Sequence, residues 1–389
     1  MNENRRSFLK AATVTAFSYQ RVLGANDRIR LAGLGTGGRC TYLLGLAAKA
    51  GAEIVAACDV YEPRRALIKQ KLAPNAAEYI DYRQALDRKD IDAVVIGSPD
   101  HWHVPMTIDA VKAGKDVYVE KPVSHTIEEG EQLEKAVAAS RQVVQVGYQQ
   151  RSWEHFKAAR EVVASGKLGK VPLVLASWYQ DYLVRWGGQP RVEAEKLDWK
   201  RFLGSAPGQP FDPLRYVRWR WFWDFGGGHL TDLYSHYCDV IHWYMGEDRP
   251  RSAQAMGSRT ALPEFECPDT ISACYEYPGG FNITYTGTLV GALDGGTIIF
   301  RGSKAVMKIN RDGFAVYPEG VVPPEKTNYP EPLAEMRSAG DGTIDHVNNF
   351  LDCVRTRKQP NAEVKTAVAA ARAAHLGNLA YRKGTRVSA

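Results

Sequence analysis

Short apolar runs alternate with longer amphipathic segments over the first 150 residues of this chain. Five runs rich in valine, isoleucine and alanine are apolar on both faces and lie at 28–34, 53–58, 93–97, 116–120 and 143–147. The segments between them have helical spacing and lie at 39–50, 63–72, 104–113 and 127–140. Strands that are apolar on both faces are typical of a parallel sheet between two helix layers. The pattern therefore predicts a doubly wound α/β domain over residues 26–150.

The pattern changes after about residue 151. Alternating segments separated by glycine and proline turns predict strands at 171–180, 271–277, 281–289 and 297–301. Helical patterns lie at 153–165, 230–245, 343–356 and 363–382, and a loop region rich in tryptophan, glycine and proline lies at 181–228. We predict a second domain of α+β class over 151–345, followed by C-terminal helices over 346–389 that pack back on the body.

Composition and charge narrow the class of protein. The 389 residues are 44% hydrophobic and 24% charged, which is typical of a soluble globular protein of about two domains, and no apolar run is long enough to span a bilayer. The formal net charge is +6, of which residues 1–25 carry half through Arg5, Arg6, Lys10 and Arg21 against Glu3. The rest is nearly neutral, so the charge gives no case for nucleic-acid binding.

The first 25 residues resemble a twin-arginine export signal. Arg5 and Arg6 stand close to Met1, Phe8-Leu9-Lys10 follows, and a weakly apolar stretch comes next. We therefore expect an exported, periplasmic protein. An ordinary basic tail is the alternative explanation.

The six cysteines show no metal-ligand spacing, so no metal site is predicted. Cys40 and Cys58 lie inside the nucleotide-binding pattern and are predicted to be buried. Cys267 and Cys274 could be bridged in an oxidising compartment, and the sequence leaves that pairing open.

A glycine loop follows the first predicted strand. Gly33, Gly35 and Gly38 have the G-x-G-x-x-G spacing, with Thr36 and Gly37 between them. In this context Gly33 is predicted to make the tight turn, Gly35 to admit a pyrophosphate, and Gly38 to let the helix approach the strand. The helix N-terminus would offer unpaired N–H groups to the phosphates.

Asp59 ends the second strand, 21 residues beyond Gly38. A carboxylate there accepts hydrogen bonds from the ribose hydroxyls and repels a 2′-phosphate, which favours NAD over NADP. The alternative is a flexible turn with an ordinary surface aspartate.

Two more loops follow strands at the same edge of the predicted sheet. Ser98 and Pro99 begin a loop that reaches His103, and we expect this loop to contact the cofactor. Lys121 follows the next strand, where an ammonium can hydrogen-bond a substrate hydroxyl or stabilise a developing alkoxide. Glu120 is expected to orient that amine, and Glu120 and Lys121 are both expected to contact the cofactor. A surface lysine at a strand end is the common alternative.

Asp232 and His236 are four residues apart and share a helix face. A carboxylate so placed can orient the imidazole, whose other nitrogen then accepts a hydroxyl proton. His229, Asp239 and His242 are nearby alternatives. A metal pair lacks a third ligand, and a simple helix-stabilising contact is the commoner explanation.

The loop before that helix is dense in aromatic residues interleaved with arginines. Sugar rings stack their C–H faces on indoles, so this density favours a carbohydrate pocket, with core packing as the alternative. The aromatic residues are Trp178, Tyr179, Trp186, Tyr216, Trp219, Trp221, Phe222 and Trp223, and the arginines are Arg215, Arg218 and Arg220. The four tryptophans at 178, 219, 221 and 223 are predicted substrate contacts, together with Lys121, Asp232 and His236.

Taken together, these motifs resemble the Gfo/Idh/MocA oxidoreductases. The resemblance is carried by Gly33-x-Gly35-x-x-Gly38, Ser98-Pro99-Asp100-x-x-His103, Glu120-Lys121-Pro122 and Gly227-Gly228 through Asp232 to His236. It implies a Rossmann domain, a C-terminal domain on a large, mostly antiparallel sheet, and a homo-oligomer (dimer or tetramer). It also implies NAD as cofactor, Lys121 and His236 for proton handling, Asp232 for positioning, and hydride transfer to or from a sugar or cyclitol carbon.

The chain departs from the commonest family pattern at two positions. Asp100 stands where asparagine is usual, and Tyr234 stands where glycine is frequent, so we expect Tyr234 to crowd the helix and reshape the pocket. Free NAD is scarce outside the cytoplasm, and an exported member is therefore expected to hold its cofactor tightly. The alternatives are an NAD-dependent glycoside hydrolase acting by transient oxidation and elimination, and a non-catalytic sugar-binding protein.

Overall fold

The computed structural model describes residues 28–182, 190–319 and 330–389. The predicted signal segment and Trp186 lie outside these ranges and stay predictions. Across the described ranges, we find no helix with the length and apolar character needed to cross a membrane.

The first domain is the predicted parallel sheet. Its strands are β1 (Arg30–Leu34), β2 (Glu53–Cys58), β3 (Ala77–Tyr79), β4 (Ala93–Ile96), β5 (Asp116–Val119) and β6 (Val144–Val146), in the order β3-β2-β1-β4-β5-β6. The helices beside them are α1 (Gly38–Lys49), α2 (Glu62–Lys71), α3 (Tyr82–Leu86), α4 (Asp100–Lys112) and α5 (Ile127–Ala138). Every pairing in the sheet is parallel, which confirms the doubly wound class. The strand order reverses between β1 and β4, and ligands of such sheets bind at that point.

The second domain is built on nine strands, in the order β14-β13-β12-β11-β7-β10-β9-β8-β15. They are β7 (Leu173–Tyr179), β8 (Ser252–Ser258), β9 (Thr270–Glu276), β10 (Asn282–Thr288), β11 (Gly296–Arg301), β12 (Ala305–Asn310), β13 (Gly313–Pro318), β14 (Ala334–Arg337) and β15 (Val387–Ser388). The pairings are antiparallel except that of β10 with β7, so the mostly antiparallel sheet is confirmed.

Within the described ranges, six further α-helices follow β6 along the chain. They are α6 (Glu154–Ala164), α7 (Trp199–Leu203), α8 (Pro213–Val217), α9 (Ser235–Met245), α10 (Thr343–Thr356) and α11 (Val364–Lys383). The helices α6 and α11 contact the nine-stranded sheet, whereas α10 packs against α1 in the first domain. The first half of α11 is buried in the core of the first domain through Ala367 and Val368. Its second half is buried in the core of the second domain through Ala373 and Leu376. This shared helix fixes the two domains against each other around the cleft between them.

The helix predicted over 230–245 is continuous but not uniform. It begins with a π-helical turn over Leu230–Tyr234 and continues as α9. Such turns are rare and occur often at functional sites. This one carries Asp232.

Candidate active site

The glycine loop forms the tight turn that a dinucleotide requires, but its glycines divide the work differently from the prediction. Gly35 has a φ of 73°, and a Cβ there would lie 2.7 Å from the backbone of Ser98. The close strand–helix contact is at Gly33, where a Cβ would lie 2.7 Å from Leu44. A Cβ at Gly38 would meet nothing within 4 Å, so the helix-packing role predicted for Gly38 is wrong.

The loop opens onto a cleft of about 310 Å³ between the two domains, which we call the nucleotide cleft. Its lining from the first domain includes Gly35, Gly37, Gly38, Arg39, Asp59, Arg64, Ser98, Pro99 and Trp102. The second domain contributes Arg201, Phe202, Val217, Trp219 and Arg220. Most of the residues predicted to bind the cofactor therefore meet in one cavity.

Asp59 provides the test of whether this cavity suits a dinucleotide. Its Oδ1 accepts a hydrogen bond from the N–H of Tyr61 at 2.9 Å, while its Oδ2 is buried without a hydrogen-bond partner. Arg64 lies 3.8 Å from that oxygen. Burial raises the pKa of Asp59, and Arg64 opposes the rise. A buried acceptor without a donor is costly, and a ribose hydroxyl would satisfy it. The residues present therefore fit a nicotinamide dinucleotide.

Five predicted cofactor residues do not line the nucleotide cleft: Gly33, Thr36, His103, Glu120 and Lys121. Thr36 is fully buried, and its methyl group faces Gly33. His103 is buried too, and its ring nitrogens lie 2.9 Å from the carbonyl oxygen of Ser98 and 2.6 Å from that of Pro122, so the neutral ring donates to one of the two. Burial lowers the pKa of His103 to about 4. This histidine joins the two loops that carry site residues rather than facing the cofactor.

Lys121 binds Asp232 across the domain boundary. Its Nζ lies 2.6 Å from Oδ1 of Asp232 and 2.6 Å from the carbonyl oxygen of the same residue. Both side chains are nearly buried, with 10% and 11% of their surface exposed. Arg220, which lines the nucleotide cleft, donates to the same Oδ1 at 3.1 Å. Arg220 thus connects the Lys121–Asp232 pair to the nucleotide cleft.

The charge state of Asp232 follows from these contacts. Burial raises the pKa of the carboxyl group, but the two cations, Lys121 and Arg220, outweigh burial and lower it to about 2. Asp232 is therefore ionised at neutral pH and holds both cations. Glu120 does not orient the Lys121 amine as predicted, because its Oε1 accepts from Nε of Arg39 at 2.7 Å.

His236 lies beside this cluster, held by aromatic rings. Its ring stacks on Trp178 at 5.9 Å and meets the edge of Tyr148 at 5.9 Å. The prediction that Asp232 orients this imidazole is wrong, because the carboxylate binds Lys121 and Arg220 instead. Burial, and then the positive charges of Lys121, Arg311 and Arg39, hold the pKa of His236 well below its usual value. A neutral imidazole can accept a proton.

The predicted aromatic pocket is only partly present. Trp219 lines the nucleotide cleft, where the Arg220 guanidinium lies 4.2 Å from its ring centroid. Trp178 touches His236. Trp221 is 0% exposed in the core against Phe265, so it has no free face for a sugar.

Trp223 belongs to a different place in the molecule. It lines a separate groove with His125 and Arg382. Core packing, the alternative explanation, therefore accounts for Trp221, and Trp223 does not line the nucleotide cleft.

Tyr234 does not crowd the candidate site as expected. It is fully buried and stacks on Tyr275 at 5.0 Å, within the core of the second domain. The alternative site residues on the same helix are also occupied. His229 bonds Tyr285, Asp239 pairs with Arg151, and His242 bonds Tyr277.

Metal and disulfide chemistry find no support among the described residues. No group of three or more histidine, cysteine or acidic side chains there could hold a metal ion. Cys267 is buried, Cys274 is exposed, and both are free thiols. Cys40 and Cys58 are buried, as predicted.

Family models match most of the chain. The model of the oxidoreductase family with an NAD-binding Rossmann fold, GFO/IDH/MocA, matches residues 28–148. The model of the GFO/IDH/MocA C-terminal domain matches residues 156–308. The chain belongs to the Gfo/Idh/MocA oxidoreductase family.

Individual relatives match only part of the chain. The uncharacterized oxidoreductase YrbE of Bacillus subtilis is 36% identical over 185 residues, which are 47% of this chain and 49% of that protein. The inositol 2-dehydrogenase of Salmonella typhimurium is 28% identical over 130 residues, or 33% of this chain and 39% of the relative. The chain thus spans less than half the length of these curated relatives. Matches to proteins named as glycosidases cover 20% and 21% of the chain.

Solved structures share the whole fold. The WlbA dehydrogenase from Bordetella pertussis, in complex with NADH and UDP-GlcNAcA, superimposes with a TM-score of 0.71 at 19% sequence identity. The superposition covers 93% of this chain and 99% of that one. Such a likeness shows the two-domain architecture.

Proposed function

We propose that this chain is an NAD-dependent oxidoreductase acting on a hydroxyl-bearing carbon of a sugar, sugar derivative or cyclitol. One observation carries the proposal: the buried contact of Lys121 with Asp232 lies beside a neutral His236 and is joined through Arg220 to the nucleotide cleft. A protein that only binds sugar has no need for all of these groups in one place.

Each group has a separate task. Bound NAD would supply the hydride acceptor, held by the glycine loop and Asp59. The Lys121 ammonium, fixed by Asp232, donates a hydrogen bond to the substrate oxygen as negative charge develops on it. The neutral His236 accepts the hydroxyl proton. Because Asp232 stays ionised, the ammonium keeps its position through the reaction.

The known relatives support the substrate class. The inositol 2-dehydrogenase is named for a cyclitol, and its match supports a polyhydroxylated ring as substrate here. The short matches to glycosidases leave the hydrolase alternative as an outcome of the test rather than a second proposal.

The test is an assay of cofactor reduction over a panel of sugars and cyclitols, with NAD and with NADP. We expect turnover with NAD to exceed turnover with NADP. Asp59→Ala should weaken NAD binding by roughly 10- to 100-fold, since a hydrogen bond to a charged group is lost. It should also narrow the preference for NAD over NADP. Arg64, which lies 3.8 Å from the Asp59 carboxylate, becomes free to bind the 2′-phosphate of NADP.

Glu62→Ala is the matched control, because Glu62 is an exposed carboxylate close by that does not line the cleft. Binding of sugar with no reduction of either cofactor would favour the non-catalytic alternative. Cleavage of aryl glycosides without net cofactor reduction would favour the hydrolase. An unchanged NAD preference in Asp59→Ala would contradict the ribose assignment.

A further inference from the structure

We propose that Arg311 binds a negatively charged group of the substrate, so that the natural substrate is an acidic sugar derivative carrying a carboxylate or a phosphate. This inference rests on the proposed function, because it assigns a substrate class to the same site. Nothing in the sequence pattern singled out Arg311.

Arg311 lies in the turn between β12 and β13, at the same end of the sheet as Tyr179 at the end of β7 and Gly296 at the start of β11. These elements enclose a second cavity of about 360 Å³, which we call the sheet-end cavity. Trp178, Tyr237 and Arg311 line it together.

One indole ring connects this cavity to the candidate catalytic histidine. The guanidinium carbon of Arg311 lies 4.9 Å from the ring centroid of Trp178. The imidazole of His236 stacks on the same ring at 5.9 Å. Arg311 and His236 thus contact the same indole ring, and the positive charge of Arg311 is near enough to help lower the pKa of His236.

Arg311 forms no ion pair with the residues that the structure describes, and its Nε is buried without a hydrogen-bond partner. Two carboxylates, Asp294 and Asp312, line the sheet-end cavity with it. Nearby carboxylates already have donors: Asp312 accepts from the Asn310 amide, and Asp341 accepts from the Tyr42 hydroxyl. Burial lowers the pKa of Arg311, which is the expected response of a desolvated cation.

The other cations around the candidate site are paired. Lys121 and Arg220 share Asp232, and Arg39 pairs with Glu120. A partly buried guanidinium left without an anion is costly, and the cost falls when a ligand supplies the anion. Guanidinium groups match carboxylate and phosphate oxygens in a two-point geometry. The unpaired charge thus points to an anionic ligand.

A structural role is the competing explanation, since a guanidinium over an indole is itself stabilising. Such a role predicts that replacing Arg311 weakens folding or the position of Trp178 for every ligand alike. An anion site predicts a loss confined to acidic ligands.

The experiment is calorimetric titration of the NAD-loaded full chain with matched pairs, glucose with glucuronate and galactose with galacturonate, and with glucose 6-phosphate. We expect at least one acidic member to bind roughly 10-fold or more tightly than its neutral partner. Arg311→Gln should abolish that preference and change neutral binding by less than about 3-fold, while Arg311→Lys should retain part of it. Comparing the two uronates with glucose 6-phosphate shows whether Arg311 binds a carboxylate or a phosphate.

Arg301→Gln, an exposed arginine on β11, is the matched control and should keep the preference. A wild-type preference for the neutral members, or a preference that survives in Arg311→Gln, would overturn the inference. Equal losses for neutral and acidic members would assign Arg311 a structural role. Cofactor reduction with neutral sugars alone would leave the proposed function standing and reject only this site.

Discussion

Replacing Lys121 with methionine is expected to lower kcat for sugar oxidation on the order of 10³-fold, the usual loss when a donor to a developing oxyanion is removed. The Lys121 ammonium belongs to the first domain and contacts Asp232 of the second domain at 2.6 Å. Methionine keeps the length and apolar stem of lysine but carries no charge and no donor. Asp232 keeps Arg220 as a partner, so the variant should still fold.

Steady-state kinetics and NADH titration together check this result. NADH affinity should change little, because Lys121 does not line the nucleotide cleft. Lys135→Met is the matched control, since Lys135 is exposed on α5. Wild-type turnover in the Lys121 variant would remove the ammonium from the mechanism. A large loss of NADH binding would instead mean that the lysine holds the cofactor.

The folded chain is expected to lose stability steeply as pH falls from about 6.5 to about 4. Burial is the largest cause of a lowered pKa in eight histidines, among them His155 and His236. The other six are His101, His103, His229, His346 and His375, each with a pKa of about 4, and His242, with a pKa of about 3. The unfolded chain takes up these protons near pH 6.5, roughly the ordinary value, and the folded chain does not.

The direction in which stability changes with pH follows from that difference in proton uptake. A lowered folded pKa stabilises the fold above the unfolded pKa, and this stabilisation is lost as pH falls toward the folded value. Each such histidine contributes a slope of about 1.4 kcal/mol per pH unit, so a few of them rival the whole stability of a typical protein. Asp100 and Asp239, whose pKa values are raised by burial, act in the opposite direction and offset part of the slope.

Chemical unfolding at a series of pH values measures the effect. We expect the unfolding midpoint at pH about 5 to lie well below that at pH about 7.5, with uptake of more than one proton on unfolding. A midpoint that does not change across this range would mean that the histidines are not buried in neutral form.

The first sheet could be predicted from the sequence because its strands are covered on both faces. Glu53–Cys58 was predicted to the residue, since burial on both sides makes every position but the first apolar. The strands β3, β8 and β12 to β15 were not predicted. β3, β14 and β15 have only two to four residues, and most positions of β8 are exposed. β12 and β13 do alternate, but their half-exposed positions hold polar or small residues such as Lys308 and Ala315, which weakens the apolar signal.

The candidate site was located by spacing, but its pairings were not. Glu120 precedes Lys121 in sequence, yet it binds Arg39, which is 81 positions away. Asp232 binds a lysine 111 positions away rather than the histidine four positions along its own helix. Which cation an acid meets depends on the packing of two domains, and local periodicity carries no information about that packing.

The density of aromatic residues indicated a carbohydrate pocket but not which rings would line it. Trp178 and Trp221 are equally hydrophobic, but one touches His236 and the other fills the core. Burial of each ring is decided by the path of the loop, which composition does not specify. For the same reason Arg311, from a turn far along the chain, could be found only in the folded structure.

Hydride transfer is tested most directly by following deuterium from a sugar carbon to the nucleotide. The purified chain is incubated with fully C-deuterated neutral and acidic sugars and denatured, and the released nucleotide is weighed by mass spectrometry. We expect a nicotinamide dinucleotide without the 2′-phosphate that gains one deuterium from the sugar in wild type, and gains it far more slowly in Lys121→Met. Release of no nicotinamide nucleotide, or of one that never gains deuterium while sugar is bound, would contradict the proposed function.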